Sequence, residues 1–204
     1  MTGGIACGKS LLSHYLNELG AETLDADDVV HTLIPDPAER RRLAAEVFAD
    51  PAARRALEAK LHPLVKARID AWLAGASADA TGRVPPSQRS TLNSPLCTPH
   101  SQLSTLHSQL RIAVIPLLFE VHWDKYFDII CTVASSRENQ IARMTATRGY
   151  SRAEAEARLA AQLPVGEKVK KSHYVIANDG TAADLRKEAE AFVAWLKEKE
   201  KEHG

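Results

Sequence analysis

The sequence predicts an α/β fold, a parallel sheet with helices on its faces, and three observations carry that prediction. "IAVIPLLF" (112–119) and "FDIICTVA" (127–134) are near-continuous apolar runs, as in strands covered on both faces. Two charged helical stretches, Arg137 to Arg148 and Ala153 to Leu163, then lead to a further short strand, "YVIAN" (174–178), and such alternation belongs to parallel sheets. At the other end of the chain, Gly3, Gly8, Lys9 and Ser10 satisfy G-x-x-x-x-G-K-S/T, in which backbone amides, a lysine and a hydroxyl surround a polyphosphate.

The phosphate loop, Gly3, Gly4, Ile5, Ala6, Cys7, Gly8, Lys9 and Ser10, is thus the candidate nucleotide site, with Lys9 bridging the β- and γ-phosphates and Ser10 holding magnesium. A buried strand should feed such a loop. Only Met1 and Thr2 precede Gly3, so that strand is expected to be missing. From Lys9 to Leu19 the pattern is helical, with Leu12, Tyr15, Leu16 and Leu19 on one face and Gly20 as the stop. The helix N-terminus adds its unpaired amides to the phosphate site. "AETLDADDVV" reads as a short strand breaking into an acidic turn. Pro37 to Leu73 is helical and charged, interrupted at "FADP" (48–51) and at His62-Pro63, where a new helix is expected to start.

Residues 76–110 differ in kind, repeating STL at 90 and 104 and HSQL at 100 and 107, rich in Ser, Thr and Pro and nearly free of charge. They read as a low-complexity, disordered insertion. After the last strand, Asn178-Asp179-Gly180 turns. Thr181 with Asp184 starts a closing helix whose apolar face is Leu185, Ala189, Phe192, Val193 and Leu196.

At 204 residues, 45% apolar and 25% charged, the chain is expected to form a single domain (1–204). Twenty-six basic residues balance twenty-six acidic ones, which argues against a general nucleic-acid binder and leaves anion binding to local features. Cys7, Cys97 and Cys131 are odd in number and lack metal-ligand spacing, as suits reduced thiols in a cytoplasmic protein. No apolar run is long enough to span a membrane, and the start has no signal-peptide pattern. Oligomeric state is not encoded in any pattern seen here.

Several side chains are placed for chemistry. Asp25, Asp27 and Asp28 follow the second expected strand at its C-terminal end, where open parallel sheets hold ligands. A carboxylate there would take the proton of an attacking hydroxyl, or would simply favour a helix start through the dipole. His62 is a helix-start residue or a substrate contact, and Glu120 a solvated strand terminus or a ligand-edge group. Arg143 and Arg148 would clamp the transferred phosphoryl group as a lid closes, or carry surface charge. Cys7 is an activated thiol or a small residue that the loop tolerates.

Taken in order, "TGGIACGKS", "LDADDVV", "VFADP", "LHPLV", "VIPLLFE", "QIARMTATRGYSRAEAEARLAAQ" and "YVIANDGT" resemble the dephospho-CoA kinases, from residue 2 to about 196 outside the insertion. The resemblance implies a three-layer P-loop kinase fold with a helical lid (137–168) and a helical substrate-side region (28–75). It also implies ATP-dependent, magnesium-dependent phosphorylation of the 3′-hydroxyl of dephospho-CoA, the last step of coenzyme A synthesis. In that scheme Asp27 is the general base, Lys9 and Arg143 stabilise charge, and Asn178 lies near the adenine. Asp25, His62, Glu120 and Arg148 contact substrate. The chain departs from the family in a shortened stretch between Asp27 and Phe48, where Arg40 or Arg41 takes the arginine role, and in Arg148 standing five, not four, after Arg143. These departures keep two other readings open, a catalytically impaired nucleotide-binding remnant and another small-molecule P-loop kinase.

Overall fold

The computed structural model describes residues 1–75 and 110–203, so all but the last residue of the expected insertion at 76–110 lies outside the described residues. In chain order the elements are β1 (Thr2–Gly3), α1 (Lys9–Glu18), β2 (Glu22–Asp25), α2 (Ala26–Leu33), α3 (Pro37–Ala49), α4 (Pro51–Leu73), β3 (Arg111–Val114), β4 (Cys131–Ala134), α5 (Arg137–Arg148), α6 (Arg152–Ala160), α7 (Val165–Lys170), β5 (Tyr174–Ala177) and α8 (Ala182–His203). They fall into two compact units, Met1–His31 with Leu110–Gly204, and Thr32–Gln109.

The first unit holds the sheet. β2 runs parallel to β3, with Glu22 opposite Arg111 and Asp25 opposite Val114, and β4 lies between β1 and β5, also parallel. The Met1 amino group donates to Ala113 O at 2.6 Å, and Ile115 N donates to Met1 O at 2.8 Å. These bonds join the two ladders in the order β2-β3-β1-β4-β5. The expectation of a missing first strand is therefore corrected: Thr2 and Gly3 pair with Thr132 and Val133, and Met1 completes the ladder toward β3. Thr2 and Gly3 pair with β4 on one side, and Met1 bonds to β3 on the other.

Leu12 and Leu16 of α1 are wholly buried against the sheet and α8, together with Val114, Val133, Ile176, Leu185, Ala189 and Phe192. Each of these side chains except Ala189 contributes about 1.5–3 kcal/mol relative to exposure. Strands β3 and β4 are shorter than their apolar runs. Pro116 has no N–H to extend the β3 ladder, and the backbone turns through 117–122 instead, with Val121 N on Leu117 O and His122 at φ 55°. "DADDVV" is not a turn; Ala26 to Leu33 form a helix, with Asp27 and Asp28 in its first turn, where the dipole favours them. Helix α7 has no counterpart among the expected elements, although Pro164 before it, Glu167 in its first turn and Lys168 and Lys170 in its last are ordinary start and stop signals.

In the second unit, α3 and α4 begin alike. Asp36 and Asp50 accept the N–H of Ala38 and Ala52 at 2.8 and 2.7 Å, each with proline at the first helical position. The expected restart at Pro63 does not occur, since one lost amide bond to Ala59 leaves a helix of 23 residues continuous. Arg40 donates to Ile34 O and Pro35 O at 2.6 and 2.9 Å, which ties down the turn before α3. Among the described residues no helix is long and apolar enough to cross a membrane.

Candidate active site

The phosphate loop leaves β1 at Gly3 (φ 150°) and enters α1 through Gly8, whose φ of 92° and ψ of 19° are left-handed. Its carbonyls are tied back one after another. Lys9 Nζ donates to Gly3 O and Gly4 O at 2.9 and 2.8 Å, Gln140 Nε2 to Ile5 O at 2.7 Å, Arg143 Nη1 to Ala6 O at 3.3 Å, and Asn178 Nδ2 to Cys7 O at 2.8 Å. Five acceptors that would repel a phosphate are thereby engaged by protein donors.

Glycine is required where those donors approach. A Cβ on Gly8 would stand 2.1 Å from Asn178 Nδ2, and one on Gly4 would stand 2.7 Å from both Gln140 Nε2 and Val165 Cγ2. Gly8→Ala should therefore expel Asn178 from Cys7 O and strain a left-handed residue, lowering stability by about 1–2 kcal/mol and abolishing nucleotide binding. Thermal melting and ATP titration of that variant test both parts.

Asn178 and Arg143 act together here. Arg143 Nη2 donates to Asn178 O at 2.7 Å, and Ser135 Oγ lies 3.1 Å from the same carbonyl. Asp179 braces the turn by accepting from Ser136 N (2.7 Å), Asn139 Nδ2 (2.9 Å) and Ser135 Oγ (2.8 Å). Those bonds, the Ser136 N–H foremost, hold its carboxyl down to about 2. Because the folded-state value is depressed, this stabilisation is complete above about pH 4, the ordinary aspartate range, and fades as the pH falls toward 2. Asp179→Asn should flatten the loss of stability across that window, as read by urea midpoints at stepped pH.

Lys9 is poised among charges. Burial lowers its ammonium below the ordinary lysine range, the Cys7 sulfur draws it back up, Lys168 lowers it further, and Asp25 and Asp27 raise it. Asp25 caps α2, its Oδ1 accepting Asp27 N at 2.9 Å, and burial pushes its carboxyl up. Asp27 is exposed in the first turn of α2. Ser10 is exposed in the first turn of α1, where helix amides and dipole favour anions.

Cys7 is wholly buried, with Gln140 Nε2 3.2 Å from its sulfur, and burial raises its thiol above the ordinary range. It is a packing residue in the loop and not an activated nucleophile. Cys7 and Cys131 are both free thiols.

Glu120 faces inward. Its Oε1 takes Lys168 Nζ at 2.7 Å and Leu163 N at 3.1 Å, while Oε2 is buried without a protein partner. Lys168, wholly buried, also donates to Pro116 O at 2.8 Å, the carbonyl that Thr2 Oγ1 reaches at 3.2 Å. Sequence reasoning did not select Lys168, although it stands three residues after the core-packed Val165 and so on the same helical face. Gln140, Gln162 and Ser135 were likewise not selected. Arg148 is exposed in the last turn of α5; five residues turn a helix by about 500°, so it does not share a face with Arg143. His62 lies half-buried within α4 of the second unit.

With its carbonyls occupied, the loop offers a ligand mainly N–H groups at the mouth of a helix, and a carboxylate pair follows the sheet's edge strand β2. That is the site of a P-loop nucleotide-dependent kinase.

A family model for dephospho-CoA kinase matches residues 89–184. A dephospho-CoA kinase of Synechococcus sp. (strain JA-3-3Ab) is 35% identical over 207 residues, covering 91% of this chain and 86% of that protein. One from Symbiobacterium thermophilum is 35% identical over 219 residues, covering 96% and 78%. A crystal structure from Thermus thermophilus aligns with a TM-score of 0.68 at 30% identity, over 96% of this chain and 95% of that one. The fold is shared as well with dephospho-CoA kinase from Campylobacter jejuni, at a TM-score of 0.61 and 21% identity over 98% and 96%. The chain belongs to the dephospho-CoA kinase family.

Proposed function

We propose that this chain transfers the γ-phosphoryl group of ATP to the 3′-hydroxyl of dephospho-CoA, giving coenzyme A and ADP. The hydroxyl oxygen forms a bond to the γ-phosphorus as the bond to the β–γ bridging oxygen breaks, and Asp27 takes the hydroxyl proton. Lys9, released from Gly3 O and Gly4 O, neutralises charge on the β- and γ-phosphates. Arg143 stabilises the transferring group from the loop's edge, and Asn178 supports the nucleotide by holding the Cys7 carbonyl. Asp25 orients Asp27 through the helix cap, and His62 and Arg148 are the proposed substrate contacts from the substrate-side region (28–75) and the lid (137–168).

Magnesium fits this donor set. The Ser10 hydroxyl, exposed in the first turn of α1 beside the loop, would be its protein ligand, with phosphate oxygens and water completing the shell. When bound it draws charge from the phosphate oxygens. The protein is read as a soluble cytoplasmic enzyme that acts on a small molecule.

The observation that carries this reading is the tied-back phosphate loop opening into the N-terminus of α1, in a chain of this family. An acceptor panel tests it. With ATP at fixed concentration, dephospho-CoA should outcompete adenosine, AMP and other nucleosides; a better acceptor elsewhere in the panel would replace this reading with another P-loop kinase.

A further inference from the structure

A buried ion pair joins three segments that meet at the phosphate loop. Lys168, wholly buried in α7, reaches Glu120 Oε1 at 2.7 Å and Pro116 O at 2.8 Å. Pro116 O also accepts from Thr2 Oγ1 at 3.2 Å, and Thr2 stands immediately before the loop. Glu120 Oε1 takes in addition Leu163 N at 3.1 Å, in the connector between α6 and α7. Residues flanking Leu163 touch the loop itself. Gln162 Oε1 accepts Ile5 N at 3.0 Å, and a Cβ on Gly4 would stand 2.7 Å from Val165 Cγ2.

We propose that Glu120 is a positioning residue for the ATP side of the site, holding the 162–165 connector against Gly4 and Ile5, with Lys168 as the cation that fixes it. The inference rests on the ATP-binding part of the function above. It gives Glu120 a different role from the substrate contact that the family resemblance implies. Oε1 is occupied by two donors from within the protein and Oε2 is buried, which leaves little for an acceptor substrate to bind. The contacts from α5, Gln140 on Ile5 O and the apolar cluster of Ile141 and Met144 around Ile5, do not depend on Glu120. They keep the loop folded when the connector loosens, but its support at Gly4 and at Ile5 N is lost. Such a loop holds its binding arrangement for only part of the time, and affinity falls in proportion.

Glu120→Gln and Glu120→Leu in the full chain separate the two roles. Glutamine keeps an oxygen for Leu163 N and Lys168 Nζ, its amide nitrogen taking the place of the unpartnered Oε2. Leucine keeps the bulk and removes the acceptor. Calorimetry with a non-hydrolysable ATP analogue and Mg2+, well below each variant's melting temperature, should give affinity within about threefold of wild type for glutamine and about 3- to 30-fold weaker binding for leucine. Hydrogen exchange of the ligand-free proteins should be faster across the loop in the leucine variant only. Glu120→Leu combined with Lys168→Met removes the stranded ammonium and should show the same loss of affinity, so the test does not depend on one unstable protein. Wild-type affinity and loop protection in the leucine variants overturn the proposal, and a raised KM for dephospho-CoA alongside them assigns Glu120 to the acceptor instead. Equal losses of affinity with glutamine and leucine also overturn it, because charge and not the acceptor oxygen would then govern binding. If wild type binds no analogue, the ATP reading falls, and loop exchange alone still decides whether Glu120 positions the loop.

Discussion

Replacing Asp27 by asparagine is expected to reduce phosphoryl transfer to dephospho-CoA by about 10²- to 10⁴-fold, the usual worth of a positioned base. ATP affinity should change far less. Asparagine preserves shape at an exposed helix-start position, so the fold has little reason to respond. Asp25 continues to cap α2 by accepting the residue-27 N–H, which comes from the backbone and not from the side chain. Loss of turnover with retained melting temperature and retained ATP binding therefore isolates proton transfer. Unchanged turnover would remove Asp27 as the base and leave positioning and charge stabilisation to carry the reaction.

Lys168→Met is expected to destabilise the fold by about 1.5–3 kcal/mol, because it leaves the partly buried Glu120 carboxylate, 22% exposed, without its cation. Lys168 is wholly buried and holds both Glu120 Oε1 and Pro116 O, while Glu120 Oε2 already lacks a protein partner. Without the ammonium, Glu120 keeps only the Leu163 N–H. The double variant Lys168→Met with Glu120→Gln should recover much of the loss, since neutralising both members removes the uncompensated charge. Urea unfolding of the single and double variants measures this coupling; additive losses would show that the pair does not act as a unit.

Local patterns were legible in the sequence and distant pairings were not. The loop's spacing, α1 with Leu12 and Leu16, and the reciprocal Thr181–Asp184 start of α8 all rest on neighbours within a few residues, and all appear in the structure. The set of side chains that ties back the loop was hidden because Gln140, Arg143 and Asn178 reach residues 5–7 across more than 130 positions of chain. No local periodicity encodes such contacts. Glu120 reads as a group at the ligand edge, and its pairing with the buried Lys168 was not foreseen, because a charged residue inside an exposed-looking run such as "EKVKK" gives no sign of that burial. The first strand was misjudged for a related reason. Its pairing partners are β3 and β4 on either side, more than 100 residues away.

The most direct measurement follows labelled γ-phosphate from ATP into dephospho-CoA with the 204-residue chain and locates the label on the product. Label on the 3′-hydroxyl oxygen, growing with time in wild type and nearly absent in Asp27→Asn, is the predicted result. Folded protein that binds ATP yet transfers no label to dephospho-CoA would contradict the account and favour an impaired nucleotide-binding relative.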